Sequence, residues 1–257
     1  MLEHVPRELT VTVTSSPSRG IDATLGLADR LANAGYRVVP HLAARLVRNE
    51  GHLQEVLARI DALGAREVFV VAGDIDEAQG PFEGAAALLR AMAELGSGLE
   101  EIGITGYPES HAFISDDTTI QAMFEKAPYA TYIVSQICFD ASVVGDWLHR
   151  VRDRGVGLPI YVGLPGPSDP IKLLALSRRI GLGESARFLR RHGSWISRLT
   201  FPRGYSPSEL LAGLTPHLAA PENRIAGLHV FTFNELAQTE RWRRREIERL
   251  GGAPAPL

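Results

Sequence analysis

Six places in the chain set polar side chains at the end of a short apolar run. Thr14 follows the first run, His41 the second, Asp74 the third, Tyr107 and Glu109 the fourth, Gln136 closes the fifth, and Thr232 and Asn234 follow the last. Asp74 stands behind Gly73, a residue that lets a ligand approach the backbone closely; the alternative for Asp74 is a cap on the next turn. Tyr107-Pro108-Glu109-Ser110-His111 puts a phenol, a carboxylate and an imidazole at one exit, as a stacking and hydrogen-bonding wall or as a proline-stiffened turn facing solvent. His41, directly after Pro40, is placed to donate to a phosphate or a cofactor ring, or to be hydrogen-bonded within the structure. Gln136 lies inside the apolar run 133–139, where an amide is costly to bury without partners, and a bidentate contact to a heterocycle would supply them.

The elements that must position these groups alternate. Runs rich in apolar and β-branched residues at 9–14, 37–40, 67–71, 102–105, 132–136, 159–162 and 226–231 predict strands. Helical periodicity falls between them, at 22–34, 53–63, 82–95, 117–126, 143–154, 170–180, 207–218 and 235–250. The clearest stripe is Leu53, Val56, Leu57, Ile60 and Leu63, which is core packing. Strand and helix in turn predict an α/β fold with parallel strands, a TIM-type (β/α) barrel in which functional groups gather at the C-terminal strand ends. Seven strands are counted where a closed barrel needs eight, so the barrel is expected to be incomplete at the first strand, which is absent or replaced by residues 1–6. The segment 183–205 reads as a short helix and loop lengthening one crossover, and the whole of 1–257 as a single domain.

Composition narrows the partners. The chain carries 27 basic and 30 acidic residues, a near balance that favours neither nucleic acid nor an anionic membrane surface. Cys138 is the only cysteine, which excludes an internal disulfide and a cysteine-rich metal site and points to a reducing compartment. No secretory start and no apolar stretch of membrane-spanning length is found, so a cytoplasmic location is expected. His149, His192, His217 and His229 lack metal-ligand spacing, so no metal is expected. Arg241, Arg243, Arg244 and Arg245 read as a solvated helix face.

Taken together, the strand exits resemble the catalytic barrel of the methylenetetrahydrofolate reductases over about residues 9–235. The matching pieces keep their order: Val11-Thr12-Val13-Thr14 with Asp22 and Thr24, Pro40-His41-Leu42, Gly73-Asp74, Gly106-Tyr107-Pro108-Glu109 with His111, Ser135-Gln136 with Phe139-Asp140, Gly163-Leu164-Pro165, and Phe231-Thr232-Phe233-Asn234. The resemblance implies reduction of 5,10-methylenetetrahydrofolate to 5-methyltetrahydrofolate, with NADH or NADPH as donor and FAD as intermediary. It places Thr14, His41, Gly73, Asp74, Tyr107 and Lys126 around the flavin, and Gln136, Asp74 and Phe139 at the pterin. Asp74 would stabilise charge in the reaction, and Glu3, in Leu2-Glu3-His4-Val5-Pro6, resembles the family's general acid.

Three departures accompany the resemblance. Ala72 stands where the family carries Arg before Gly-Asp. The basic residues of the following helix reduce to Lys126, shifted by one position, with Phe124 and Glu125 beside it. Only two residues separate Pro6 from the next strand, where the family has a whole helix. FAD is accordingly expected to bind weakly, and the short spacing after Pro6 implies either a truncated start or a carboxylate other than Glu3 as the proton donor. Alternatives are a reductase that takes hydride directly from nicotinamide and a folate-binding accessory protein. The expected partner is a tetrahydrofolate derivative, with a homo-oligomer left open.

Overall fold

A computed structural model of the protein describes residues 3–109, 116–168 and 207–253. Among the described residues seven strands lie side by side in the order of the sequence: β1 (Thr10–Val13), β2 (Arg37–Ala43), β3 (Glu67–Val71), β4 (Glu101–Gly106), β5 (Tyr132–Ser135), β6 (Ile160–Pro165) and β7 (Ile225–Phe231). Every pair is parallel. Parallel neighbours need a crossover between them. Among the described residues these run through α1 (Gly20–Asn33), α2 (Glu50–Ala62), α3 (Ala85–Leu95), α4 (Asp116–Lys126), α5 (Ala141–Asp153) and α6 (Ser208–Leu218), with α7 (Leu236–Arg249) after β7. The expected helix at 170–180 and the segment 183–205 lie outside the described residues.

Side-chain alternation splits the sheet into two faces. On β2, Val38 and Leu42 face the helices while Val39 and His41 face inward. The outer face meets the helical stripes: Leu53, Val56, Leu57 and Ile60 of α2 are buried as their spacing predicts. Asn49 starts that helix by accepting from the amide of His52 at 2.8 Å, and Asp140 starts α5 by accepting from Ser142 at 2.8 Å. On α7, Glu240 accepts from Arg243 and Arg244, while Arg241 and Arg245 of the arginine run are exposed.

The sheet curls. His41 on β2 lies close enough to His229 on β7 for their charges to oppose one another, whereas five strand spacings in a flat sheet would hold them roughly 24 Å apart. The result is an open (β/α) barrel of TIM type whose strand order ends at β1 and β7, with no pairing between these two among the described residues. Its inner floor is built where the strands begin. Arg37 bridges Glu67 at 2.7 Å and Glu101 at 3.0 Å, and above them Val39, Phe69, Tyr132 and Val134 pack together. Burial, and then the Glu67 carboxylate, push the Tyr132 phenol up from its ordinary pKa.

Residues 3–6 form turns and do not replace a first strand. The Tyr36 hydroxyl, just before β2, donates to the carbonyl of Val5 at 2.8 Å, and Arg7 lies over the Tyr36 ring. That contact fixes the segment where the strands start, at the end of the sheet opposite the expected site. Among the described residues no helix is long and apolar enough to cross a membrane.

Candidate active site

Gly73 leaves β3 with φ +98°, and a Cβ there would sit 3.2 Å from the Cβ of Ala43, so the turn needs glycine for both conformation and space. The turn delivers Asp74 exposed, with no hydrogen-bond partner among the described residues. Arg45 stitches the loop that follows: its amide donates to Ala72 at 2.9 Å, and its guanidinium donates to the carbonyls of Ile75 at 3.0 Å and Glu83 at 2.9 Å. Arg45, whose side chain starts beside the Gly73 turn, is therefore engaged by backbone.

On the adjoining strands the register brings the next groups to the same rim. The Gln136 amide donates to the carbonyl of Gly106 at 2.7 Å, tying the exit of β5 to that of β4, where half-buried Tyr107 follows. Gln136 Oε1 accepts from the amide of Ile137 at 3.0 Å, and its side-chain nitrogen has no partner among the described residues. The carboxamide is thus pre-set by its own backbone, and the bidentate contact expected from sequence has to use the second lone pair of Oε1. Buried Ser135 locks the base of this arrangement, donating to the Gln136 carbonyl at 3.2 Å and accepting from the amide of Gly163 at 2.8 Å. Phe139 is buried with Ile137 against Phe231 and Phe233, giving the rim an aromatic side. Phe233 and Asn234 both adopt left-handed backbone, with φ of 49° and 64°, a conformation that non-glycine residues hold at a cost and that occurs preferentially at functional sites.

His41 corrects an expectation. It does not follow β2 but lies inside it, because the strand runs on to Ala43. Its ring packs on Phe69 at 4.8 Å, and Nε2 is sealed from solvent without a hydrogen-bond partner among the described residues. Burial, reinforced by His229, lowers its pKa to about 3, and burial lowers that of His229 to about 4, so both rings are neutral at ordinary pH. His229 was read from sequence only for metal spacing, and among the described residues no three ligating groups cluster. Strand parity could have found it, since Gly227, His229 and Phe231 share the inward face of β7.

The remaining candidates separate. Thr14 is exposed at the exit of β1, on the rim, with no hydrogen bond to the other groups among the described residues. Lys126 is buried in the last turn of α4, from which the chain reaches the start of β5 within six residues. It therefore lies toward the end of the sheet where strands begin, and burial lowers its amine to a pKa of about 8. Glu3, held near Tyr36, is at that end too, and does not share a site with Asp74. His111 lies outside the described residues. A cleft of about 390 Å³ also opens at the strand starts, lined by Tyr36, Arg37, Glu67 and Glu101 among others. Arg37, Glu67 and Glu101 of its lining are committed to their ion pairs, and none of the groups at the rim lines it.

With this rim in place, residues 1–167 match the methylenetetrahydrofolate reductase family. The chain belongs to this family. The matched span runs from the turns of residues 3–6 through β6, and so contains Asp74, Tyr107, Gln136 and Phe139. Solved structures with some likeness to this methylenetetrahydrofolate reductase family member include a "putative lyase/mutase" of Burkholderia cenocepacia J2315, at 19% identity, with 83% of this chain and 85% of that chain covered and a TM-score of 0.46. Another is the dihydropteroate synthase of Xanthomonas albilineans, at 14% identity, with 95% and 81% covered and a TM-score of 0.43. Neither bears on the chemistry of the site.

If Gln136 holds a ring through its amide equally before and during reaction, Gln136→Ala is expected to raise the KM for the folate and leave kcat close to wild type. Steady-state kinetics over a range of folate concentrations check this; a kcat that falls in step with kcat/KM would give Gln136 a transition-state role instead.

Proposed function

We propose that the protein reduces 5,10-methylenetetrahydrofolate to 5-methyltetrahydrofolate, with NADH or NADPH as the source of hydride. The proposal stands on one observation: in a member of this family, Asp74, Tyr107, Gln136 and Phe139 all follow the C-terminal ends of the neighbouring strands β3, β4 and β5. Opening the five-membered ring breaks the bond between N10 and the methylene carbon and leaves an iminium at N5. Asp74 contributes a carboxylate toward that positive charge, which favours the opened form over the closed one. Gln136 offers an amide donor to the pterin edge, and the Phe139 side gives the flat ring an apolar surface that excludes water.

FAD, when bound, relays hydride between nicotinamide and substrate. The described residues fit its phosphates poorly. Ala72 carries no charge, Arg45 is committed to two carbonyls, Lys126 is buried away from the rim, and Phe124 is 51% exposed on the helix where the family is basic. No step is therefore assigned to a flavin. Loss of two charge-assisted contacts at about 1.5 to 3 kcal/mol each lowers affinity by roughly two to four orders of magnitude. Purified protein is expected to lose added FAD on dialysis, read from visible absorbance; stoichiometric retention would contradict this. The same shortage of cations among the described residues favours a second form of the proposal, direct hydride transfer from nicotinamide.

The test is oxidation of NADH or NADPH by the purified protein with and without added FAD. Oxidation that depends on methylenetetrahydrofolate supports the proposal. Oxidation indifferent to the folate, or none under any of these conditions, rejects it.

A further inference from the structure

Asp74 can act on growing positive charge only if it is held in one place, and it stands on a long connection. Residues 72–84 join β3 to α3 with no helix or strand among them, and Asp74, Asp76 and Glu77 are exposed along it. Surface loops of this kind open easily unless bonds tie them to the scaffold. The apolar anchor is Phe82, buried just before α3. Gly80 lets the connection lie flat against the chain after β2, because a Cβ there would fall on the carbonyl of Arg48.

The polar ties converge on one residue. Arg45 lies in a single turn of 3-10 helix, Ala44–Leu46, that follows β2, and it bonds to the connection at four points. Its amide donates to the carbonyl of Ala72 at 2.9 Å, and its carbonyl accepts from the amide of Gln79 at 2.8 Å. Its guanidinium reaches two further points: Nη1 donates to the carbonyl of Ile75 at 3.0 Å and Nε to that of Glu83 at 2.9 Å. The connection thus wraps Arg45 from its first residue to its last but one. Any residue other than proline can make the two backbone bonds. The bonds to Ile75 and Glu83 need donors set in different directions on one rigid plane, which arginine has and the compact ammonium of lysine lacks. The tie to Ile75 is the one nearest Asp74. Both side-chain acceptors are carbonyls, so the cation orders the loop without pairing with the Asp74 carboxylate, which has no ion-pair partner among the described residues.

We propose that Arg45 is a positioning residue of the reaction, fixing the connection at Ile75 and Glu83 and so holding the Asp74 carboxylate at the rim where the iminium forms. This rests on the reductase function proposed above. Arg45 acts through Asp74 and touches neither substrate nor nicotinamide. A carboxylate already in place needs no reorganisation as the charge appears, whereas a mobile one loses conformational freedom at that moment. Freeing the loop therefore lowers kcat and leaves ground-state binding of the folate alone.

The test has one arm that does not depend on activity. Arg45→Met keeps an unbranched stem and both backbone bonds and removes the two side-chain bonds. In the full-length protein, the amides of Arg45 and Gln79, which donate across the two loops, are expected to exchange with solvent deuterium about tenfold faster in Arg45→Met, with the melting temperature near wild type. In turnover, Arg45→Met is expected to lower kcat on the order of tenfold with the folate KM near wild type. Arg45→Lys, which keeps the charge but not the fork, should recover only part of the loss. In an Asp74→Asn background, Arg45→Met should cost little further, since the charge it positions is gone; a merely structural arginine would lower both backgrounds by the same factor. Equal losses in the two backgrounds, unchanged exchange in Arg45→Met, or full activity of Arg45→Met or Arg45→Lys in a protein whose wild type makes 5-methyltetrahydrofolate overturns the role of Arg45 alone. A wild type that makes no such product overturns the reaction, and with it this role, whatever the exchange shows.

Discussion

Asp74→Asn is expected to lower kcat by about two orders of magnitude while leaving the fold and the melting temperature unchanged. The side chain is exposed after the Gly73 turn and has no ion-pair partner among the described residues, so its replacement by an isosteric amide breaks no structural contact. What the amide lacks is the charge. In the open rim a carboxylate acts on the reaction only where positive charge grows, and that happens as the ring opens to the iminium. The effect should therefore appear in kcat and much less in KM, in contrast to Gln136→Ala. Both variants assayed side by side, with thermal melts, distinguish these roles. An Asp74→Asn enzyme of full activity would remove Asp74 from the chemistry.

Gly163→Ala should act through the fold. A Cβ at Gly163 would lie 2.3 Å from the carbonyl oxygen of Ser135 and 2.8 Å from the ring of Phe231, and the first of these atoms belongs to backbone that cannot step aside. The same peptide gives its amide to Ser135 Oγ at 2.8 Å. Relief of the clash separates β5 from β6, at a cost of roughly 3 kcal/mol, which for a chain of this size lowers Tm by about 10 °C. Gly26, exposed in α1 with nothing within 4 Å of an added Cβ, is the control. Gly26→Ala should stabilise by up to about 1 kcal/mol, because a helical glycine surrenders more backbone freedom than alanine. A Gly163→Ala protein that melts with the wild type would show that the two strands are not held this closely.

The strands were legible because each is a short apolar run between periodic helices, and all seven expected runs form. Boundaries were less so. Pro40 reads as the end of β2, yet a proline withholds only its own N–H. Pairing continues beyond it, with His41, Leu42 and Ala43 opposite Phe69, Val70 and Val71, and carries His41 into the interior. Asp74 and Gln136 reached the rim as read because a residue that closes a parallel strand has nowhere else to go. Lys126 and Glu3 did not, since likeness of a local motif says nothing of which end of the sheet the motif occupies.

The most direct test of the account is product formation in a single anaerobic turnover. Purified protein is mixed with reduced nicotinamide and 5,10-methylenetetrahydrofolate, with and without FAD, and the folates are separated and identified, with Asp74→Asn run in parallel. Wild type is expected to form 5-methyltetrahydrofolate in amounts matching the nicotinamide oxidised, and Asp74→Asn to form it far more slowly. Unchanged methylenetetrahydrofolate in every wild-type mixture, FAD present or not, would contradict it.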